Sequence, residues 1–155
     1  MVVGDICNRE VVFVNRDVTV HAASKLMRHY HVGSLVVVDE VSGAGGGGGK
    51  RMPVGILTDR DIVVEINAMD LDAKVMTAGD IMSFDLVTAQ ESMGLSESIE
   101  LMRFRGIRRL PIVNDENRLV GIVTIDDLLA VLAEEFSGIA RVVSRESMRE
   151  GRARK

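Results

Sequence analysis

The chain is poor in aromatic residues, with no tryptophan, one tyrosine and four phenylalanines among 155 residues. A platform that stacks the bases of single-stranded nucleic acid needs such rings, so that class is disfavoured. A single cysteine, Cys7, excludes an internal disulfide and fits a reducing compartment. No histidine or basic cluster lies beside it in sequence to lower its pKa, so packing is expected of it rather than reactivity. No apolar run is long enough to cross a membrane. The opening Met1-Val2-Val3-Gly4-Asp5 meets an acid at once, which does not suit a signal peptide, and the cytoplasm is the expected location. Strong net charge is also missing: a formal −4 gives no global attraction to nucleic acid or anionic lipid.

What is present is aliphatic. With 46% hydrophobic residues and nine methionines, the core must be built from Val, Ile, Leu, Ala and Met. That is enough for one compact domain or two small interlocked units. The chain also repeats itself. Gly4-Asp5-Ile6 returns as Gly79-Asp80-Ile81, and Leu26-Met27-Arg28 as Leu101-Met102-Arg103, both 75 residues on. GILTDRD (Gly55 to Asp61) returns as GIVTIDD (Gly121 to Asp127), 66 residues on. Such a repeat means one supersecondary unit used in tandem.

Each half reads in the same order. Short β-type runs at Val11–Val14 and Leu86–Thr88 precede helical spacing of apolar residues at Ala22–Tyr30 and Leu95–Met102. Continuous apolar runs at Leu35–Val38 and Leu110–Val113 suit strands covered on both faces. Val54–Leu57 and Val120–Val123 form a third strand, followed by helical patterns at Asp59–Ala68 and Ile125–Phe136. Each unit is thus approximately β-α-β-β-α, and pairing two units closes the apolar face that one leaves open. The change of offset locates nine extra residues in the first half, within the glycine-rich segment 42–52, which is expected to be a flexible hairpin tip. The second half uses a compact turn around Asn114–Asn117. From Arg141 to Lys155 six basic residues face two acidic ones, which suits a solvated helical end or a handle for an acidic partner.

Thr58 and Thr124 end a strand, and Asp61 and Asp127 follow three residues later, the spacing of a capping box. Two roles are open to these carboxylates. They can cap a helix and complement its dipole, or accept hydrogen bonds from the paired hydroxyls of a ribose. The threonine hydroxyls and nearby backbone N–H groups suit a phosphate oxygen. Gly55 and Gly121 interrupt apolar strands, where close approach of a backbone, a ligand or a helix would explain them. His29 and His31 fall on different sides of a helix end with no third partner for a metal. Ser24, Ser34 and the acidic residues compose no nucleophile-base set, so no catalytic residue and no metal site is expected.

The doubled pattern of Asp-Ile opening, Leu-Met helix, RRLPIV strand (Arg108 to Val113) and Gly-apolar-x-Thr-x-x-Asp element resembles the CBS domain. Two copies in tandem look like a Bateman module, and the resemblance covers about Gly4 to Phe136. It implies an α/β fold of two β-α-β-β-α units packed sheet to sheet about a pseudo-twofold axis. The first unit would be residues 1–70, the second 71–137, with a basic tail at 138–155. It implies a regulatory, non-catalytic module that binds an adenosine-containing ligand such as AMP, ADP, ATP or S-adenosylmethionine, requires no cofactor and modulates a partner protein. A ligand-free interaction scaffold on the same fold is the alternative.

By the same resemblance, Asp61 and Asp127 would hold ribose. Thr58, Thr124, Arg108 and Arg109 would lie towards phosphate, since arginine offers a bidentate fork. Val12, Val14, Ile56, Val87, Ala89 and Ile122 would line the adenine slot. Gly33 and Ser34 stand where the arginines stand in the other half, so only the cleft reached by Arg108 and Arg109 would prefer phosphorylated ligands. A homodimer is implied, and nucleic acid and membrane are not.

Overall fold

The structure, a computed structural model, describes residues 1–41 and 49–153. The chain falls into two compact units, Met1–Val123 and Thr124–Lys155. In chain order the elements are α1 (Val3–Ile6), β1 (Phe13–Asn15), α2 (Val20–Tyr30), β2 (Ser34–Val41), β3 (Lys50–Thr58) and α3 (Asp59–Asp61), which continues as a π-helical segment Ile62–Asn67. Then come α4 (Ala78–Ile81), β4 (Ala89–Gln90), α5 (Leu95–Arg105), β5 (Arg109–Val113), β6 (Leu119–Thr124) and α6 (Ile125–Ala153). Two three-stranded sheets result, β1-β2-β3 and β4-β5-β6.

The middle strand of each sheet carries the continuous apolar run. Leu35, Val36, Val37 and Val38 are wholly buried, as are Leu110 and Ile112. β1 pairs parallel to β2, with Phe13 opposite Val36, and β3 returns antiparallel, with Leu35 opposite Leu57. Pro53 interrupts the register near Val37 and Val38, which an edge strand tolerates. The helix α2 starts on Thr19, whose hydroxyl accepts from Ala22 N at 3.2 Å. It ends on His31, whose left-handed backbone (φ 54°) stops the helix.

Three boundaries differ from expectation. The opening strands begin later than the apolar runs suggest, at Phe13 and Ala89, because a β-type run becomes strand only where a partner lies alongside. Lys50, Arg51 and Met52 are not part of a loose tip but extend β3 opposite Val41, Glu40 and Asp39. Arg51 lies 4.2 Å over the Phe13 ring and Lys50 Nζ is 3.3 Å from Glu116, contacts that secure the strand beyond its ladder. The expected flexible tip itself, 42–48, lies outside the described residues. Finally, the last helix does not stop at Phe136: α6 runs for 29 residues. Ser137 and Ser144 donate to the carbonyls of Ala133 and Ala140, so their hydroxyls are satisfied within the helix.

The two halves exchange their openings. α1 of the first half hydrogen-bonds to the loop after β4 of the second: Val3 N donates to Met93 O and Gly4 N to Glu91 O, each at 2.9 Å. The equivalent bonds run the other way, Ala78 N to Val18 O at 2.8 Å and Gly79 N to Arg16 O at 2.9 Å. Just beyond, Asn8 forms an antiparallel bridge with Ile122 of β6, and Ser83 one with Ile56 of β3. The first half's core cluster accordingly contains Ala78 and Met82 from the second, beside Val14, Ala23, Met27, Leu35, Val37 and Leu57.

This exchange explains the strand glycines. A Cβ on Gly121 would lie 2.5 Å from Cys7 Sγ and 3.3 Å from Asn8 O, and one on Gly55 would collide with the Met82 side chain. Cys7 and Met82 are repeat equivalents, as are the two glycines. Close approach of the crossing segment is therefore the reason for glycine here, rather than a ligand. Burial pushes the Cys7 thiol above its ordinary pKa. Gly121→Ala should destabilise the protein by about 1–3 kcal/mol through overpacking, and Cys7→Ala added to it should restore part of that loss. Urea unfolding of the two single variants and the double measures the coupling; additive effects would show that the two sites do not press on each other.

Candidate functional site

The Thr-x-x-Asp element is built by a change of backbone direction. β3 delivers Thr58 in extended conformation (φ −114°, ψ 160°), and the helical turn starts at the next residue. Asp61 Oδ2 accepts from Thr58 N at 2.8 Å and from Thr58 Oγ1 at 2.7 Å, while Asp61 N donates to Thr58 Oγ1 at 3.1 Å. The hydroxyl proton is therefore committed to the carboxylate, and Thr58 acts as a clamp that fixes its orientation. Among the described residues no hydrogen bond reaches the other oxygen, Asp61 Oδ1. One oxygen holds the fold and one is left to accept.

The helix α6 opens with the same arrangement. Asp127 Oδ2 accepts from Thr124 N at 2.8 Å and Thr124 Oγ1 at 2.7 Å, and Asp127 N donates to Thr124 Oγ1 at 3.2 Å. Capping and an available Oδ1 thus coexist in both copies, as the spacing allowed. A third instance occurs at Thr77 and Asp80, before α4, where Thr77 N and Oγ1 both donate to Asp80 Oδ2 at 2.8 Å. The clamp alone is thus a folding device, and its surroundings decide what else it does.

Around Asp61 the surroundings come from both halves. Ile56, two residues before Thr58, is half-buried and is bridged to Ser83, which leads the chain towards half-buried Val87. Arg109, half-buried at the start of β5, reaches the first half: a Cβ placed on Gly33 would lie 3.1 Å from Asp59 Oδ2 and 3.6 Å from Arg109 Nη2. Gly33 O in turn accepts from Asp59 N at 3.1 Å. The guanidinium therefore stands near the start of α3, close to the turn that carries Asp61. Arg108 beside it is exposed.

The other expected slot residues divide. Val14 and Ala89 are core residues, 3% and 2% exposed, and do not face open space. Val12 and Ile122 are half-buried. Val12 lies just before β1 and lines a cleft of about 540 Å³ together with Asn8, Glu10, Val11, Phe13, Leu26, Tyr30 and Val32. Asn8 is the residue bridged to Ile122, so this cleft too is framed where one half crosses the other. Sequence reasoning missed Asn8, Leu26 and Tyr30 as lining residues. The matched glycines opposite Cys7 and Met82 were the signal for the crossing that gathers them. Among the described residues no group of three or more His, Cys, Asp and Glu is placed to hold a metal ion, and no helix is long and apolar enough to cross a membrane.

Two β-α-β-β-α repeats, each completed by the opening of the other and each with a clamped carboxylate after its last strand, define a tandem pair of small α/β modules. The model of the CBS domain matches residues 3–68 and again 78–134, and the chain belongs to that family. It is 37% identical over 129 residues to an uncharacterised protein of Methanopyrus kandleri, covering 83% of this chain and 61% of that one. It thus spans less than two thirds of that relative's length. To the CBS domain-containing protein YhcV of Bacillus subtilis it is 36% identical over 139 residues, covering 89% and 91% of the two chains. Among solved structures, the CBS domain pair of protein MJ0100, in complex with 5'-methylthioadenosine and S-adenosylmethionine, superposes with a TM-score of 0.70 at 26% identity, covering 87% of this chain and 98% of that one.

The third clamp offers a test of the capping role away from the site. The Thr77 backbone N–H, and then its hydroxyl, hold the Asp80 carboxyl below its ordinary pKa. A depressed folded-state value stabilises the protein above the unfolded pKa of about 4, and that contribution is lost as pH falls through the folded value. Asp80→Asn should therefore be less stable than wild type at neutral pH, and should lose less stability on acidification from about pH 5 to pH 3. Urea midpoints across that range measure both; parallel curves would remove Asp80 from the acid response.

Proposed function

We propose that the chain is a non-catalytic regulatory module that binds an adenosyl ligand and passes its occupancy to a partner protein. The observation that carries this reading is Asp61: one carboxylate oxygen is locked by Thr58 and the other is left to accept, as paired ribose hydroxyls require. Ile56 and Val87 supply apolar flanks for the base, and Arg109 a fork for phosphate. Asp127, with Thr124, is assigned the same part in the second repeat on its matching clamp. Val12 and Ile122 are assigned to its base. The ligand seen with the MJ0100 pair, an adenosyl thioether, supports an adenosine-containing ligand here. The repeats would correspond to residues 1–70 and 71–137, with the protein cytoplasmic and assembled as a homodimer. Occupancy acts on a partner only if the ligand binds two states of the module with different affinity.

A ligand-free scaffold finds one supporting observation, the exposed Val63 and Val64 on the π-helical segment, 57% and 45% accessible. Replacing both Asp61 and Asp127 with Ala separates the readings: a sensor loses ligand and stays folded, whereas a scaffold loses only thermal stability.

Calorimetry with AMP, ADP, ATP, NADH and S-adenosylmethionine should give heat for at least one ligand, and Asp61→Ala should weaken it by about tenfold or more, the equivalent of a charge-assisted hydrogen bond. Folded protein that gives no heat with any of the five would remove the proposal. Arg109→Ala should weaken binding of ATP and ADP more than that of adenosine or methylthioadenosine. Equal weakening across the four would place Arg109 in the fold rather than at a phosphate.

A further inference from the structure

The family match ends at residue 134, but α6 continues to Ala153. At 1.5 Å per residue the whole helix is about 43 Å long. Leu129, Leu132, Phe136 and Ile139 recur at intervals of three, four and three residues, the spacing of a coiled-coil seam. Three of them are open to solvent: Leu129 is 58% exposed, Phe136 73% and Ile139 63%. Phe136 and Ile139 lie beyond the conserved module, so nothing in the repeat accounts for them.

The charges on the same helix are segregated. Asp126, Asp127, Glu134 and Glu135 occupy its first part, and Arg141, Arg145 and Arg149 its later part. A second copy laid antiparallel sets the acidic part of each helix beside the basic part of the other, and the two helix dipoles also oppose. Parallel pairing would place like charges together along the whole length. An anionic membrane or a nucleic acid would meet the acidic part as well as the basic one, which disfavours both. Gly138 adds to the need for a partner, because a helix carrying glycine in mid-length and apolar residues in water is marginal by itself.

We propose that the seam Leu129, Leu132, Phe136 and Ile139 docks a second copy of this chain, with the two α6 helices antiparallel. The basic end is then an intermolecular clamp on the acidic start of its partner helix. The pairing is independent of any ligand.

Sedimentation equilibrium of the full chain tests this. Wild type should self-associate, and Phe136→Glu with Ile139→Glu should weaken association by more than about tenfold, since two large apolar side chains leave the interface. Both positions are exposed within the chain, so the thermal transition of the variant should remain cooperative. In a Cys7→Ala background, a mixture of Asp126→Cys and Arg149→Cys proteins treated with a short bismaleimide should cross-link with each other in preference to themselves. An assembly size unchanged by the double variant would overturn the proposal. So would preferential self-linking at both positions, or a wild-type monomer whose seam instead binds anionic vesicles or RNA.

Discussion

The whole architecture depends on the reciprocal exchange of two four-residue helices. α1 and α4 bury Val3 and Ala78 completely, and each donates backbone hydrogen bonds to a loop of the opposite repeat. These loops are polar backbone that would otherwise be only solvated, and the openings that cap them bring apolar side chains with them. Ala78 and Met82 enter a cluster whose other members are seventy or so residues away in either direction of argument but adjacent in space. Neither repeat has a complete core without the other's first turn. The resulting unit, Met1–Val123, contains both sheets almost entirely, and the binding elements follow from the same exchange. Ser83 reaches Ile56 and Asn8 reaches Ile122 because the chain has to leave each short helix along the neighbouring sheet.

Function follows from asymmetry imposed on this symmetric frame. Both repeats present a threonine-clamped aspartate, but Arg109 has Ser34 as its equivalent, and the guanidinium extends to the first repeat rather than staying with its own. The arginine and the carboxylate that are proposed to share a ligand thus belong to different copies. A ligand bound there touches both halves at once, which is the physical condition for a small molecule to bias their arrangement.

Much of this was legible in the residues. The offset of 75 gave the duplication, the buried runs gave the middle strands, and Thr-x-x-Asp gave the clamps at both sites to the residue. The segment at Asn114–Asn117 turned as its composition indicated, with Asn114 Oδ1 accepting from Glu116 N and Arg118 N. What the sequence concealed was long-range. A β-type run such as Val11–Val14 does not announce which of its residues will find a partner strand. Val14 and Ala89 were readable as apolar but not as buried beneath the sheet. Lys50 to Met52 follow five glycines, and only the pairing with Asp39 to Val41 makes them strand. The exchange itself left one trace, the glycines opposite Cys7 and Met82, which periodicity does not interpret.

The exchange also governs the order of events in folding. Gly4 must find Glu91 and Ala78 must find Val18, contacts separated by most of the duplicated sequence. Loop closure over such distances is slow, and it has to occur before either core is dry. A nascent chain that has released only its first repeat therefore exposes the pocket that awaits Ala78 and Met82. Duplication has produced two similar sequences but a single cooperative event, in which each copy acts as the other's last folding step.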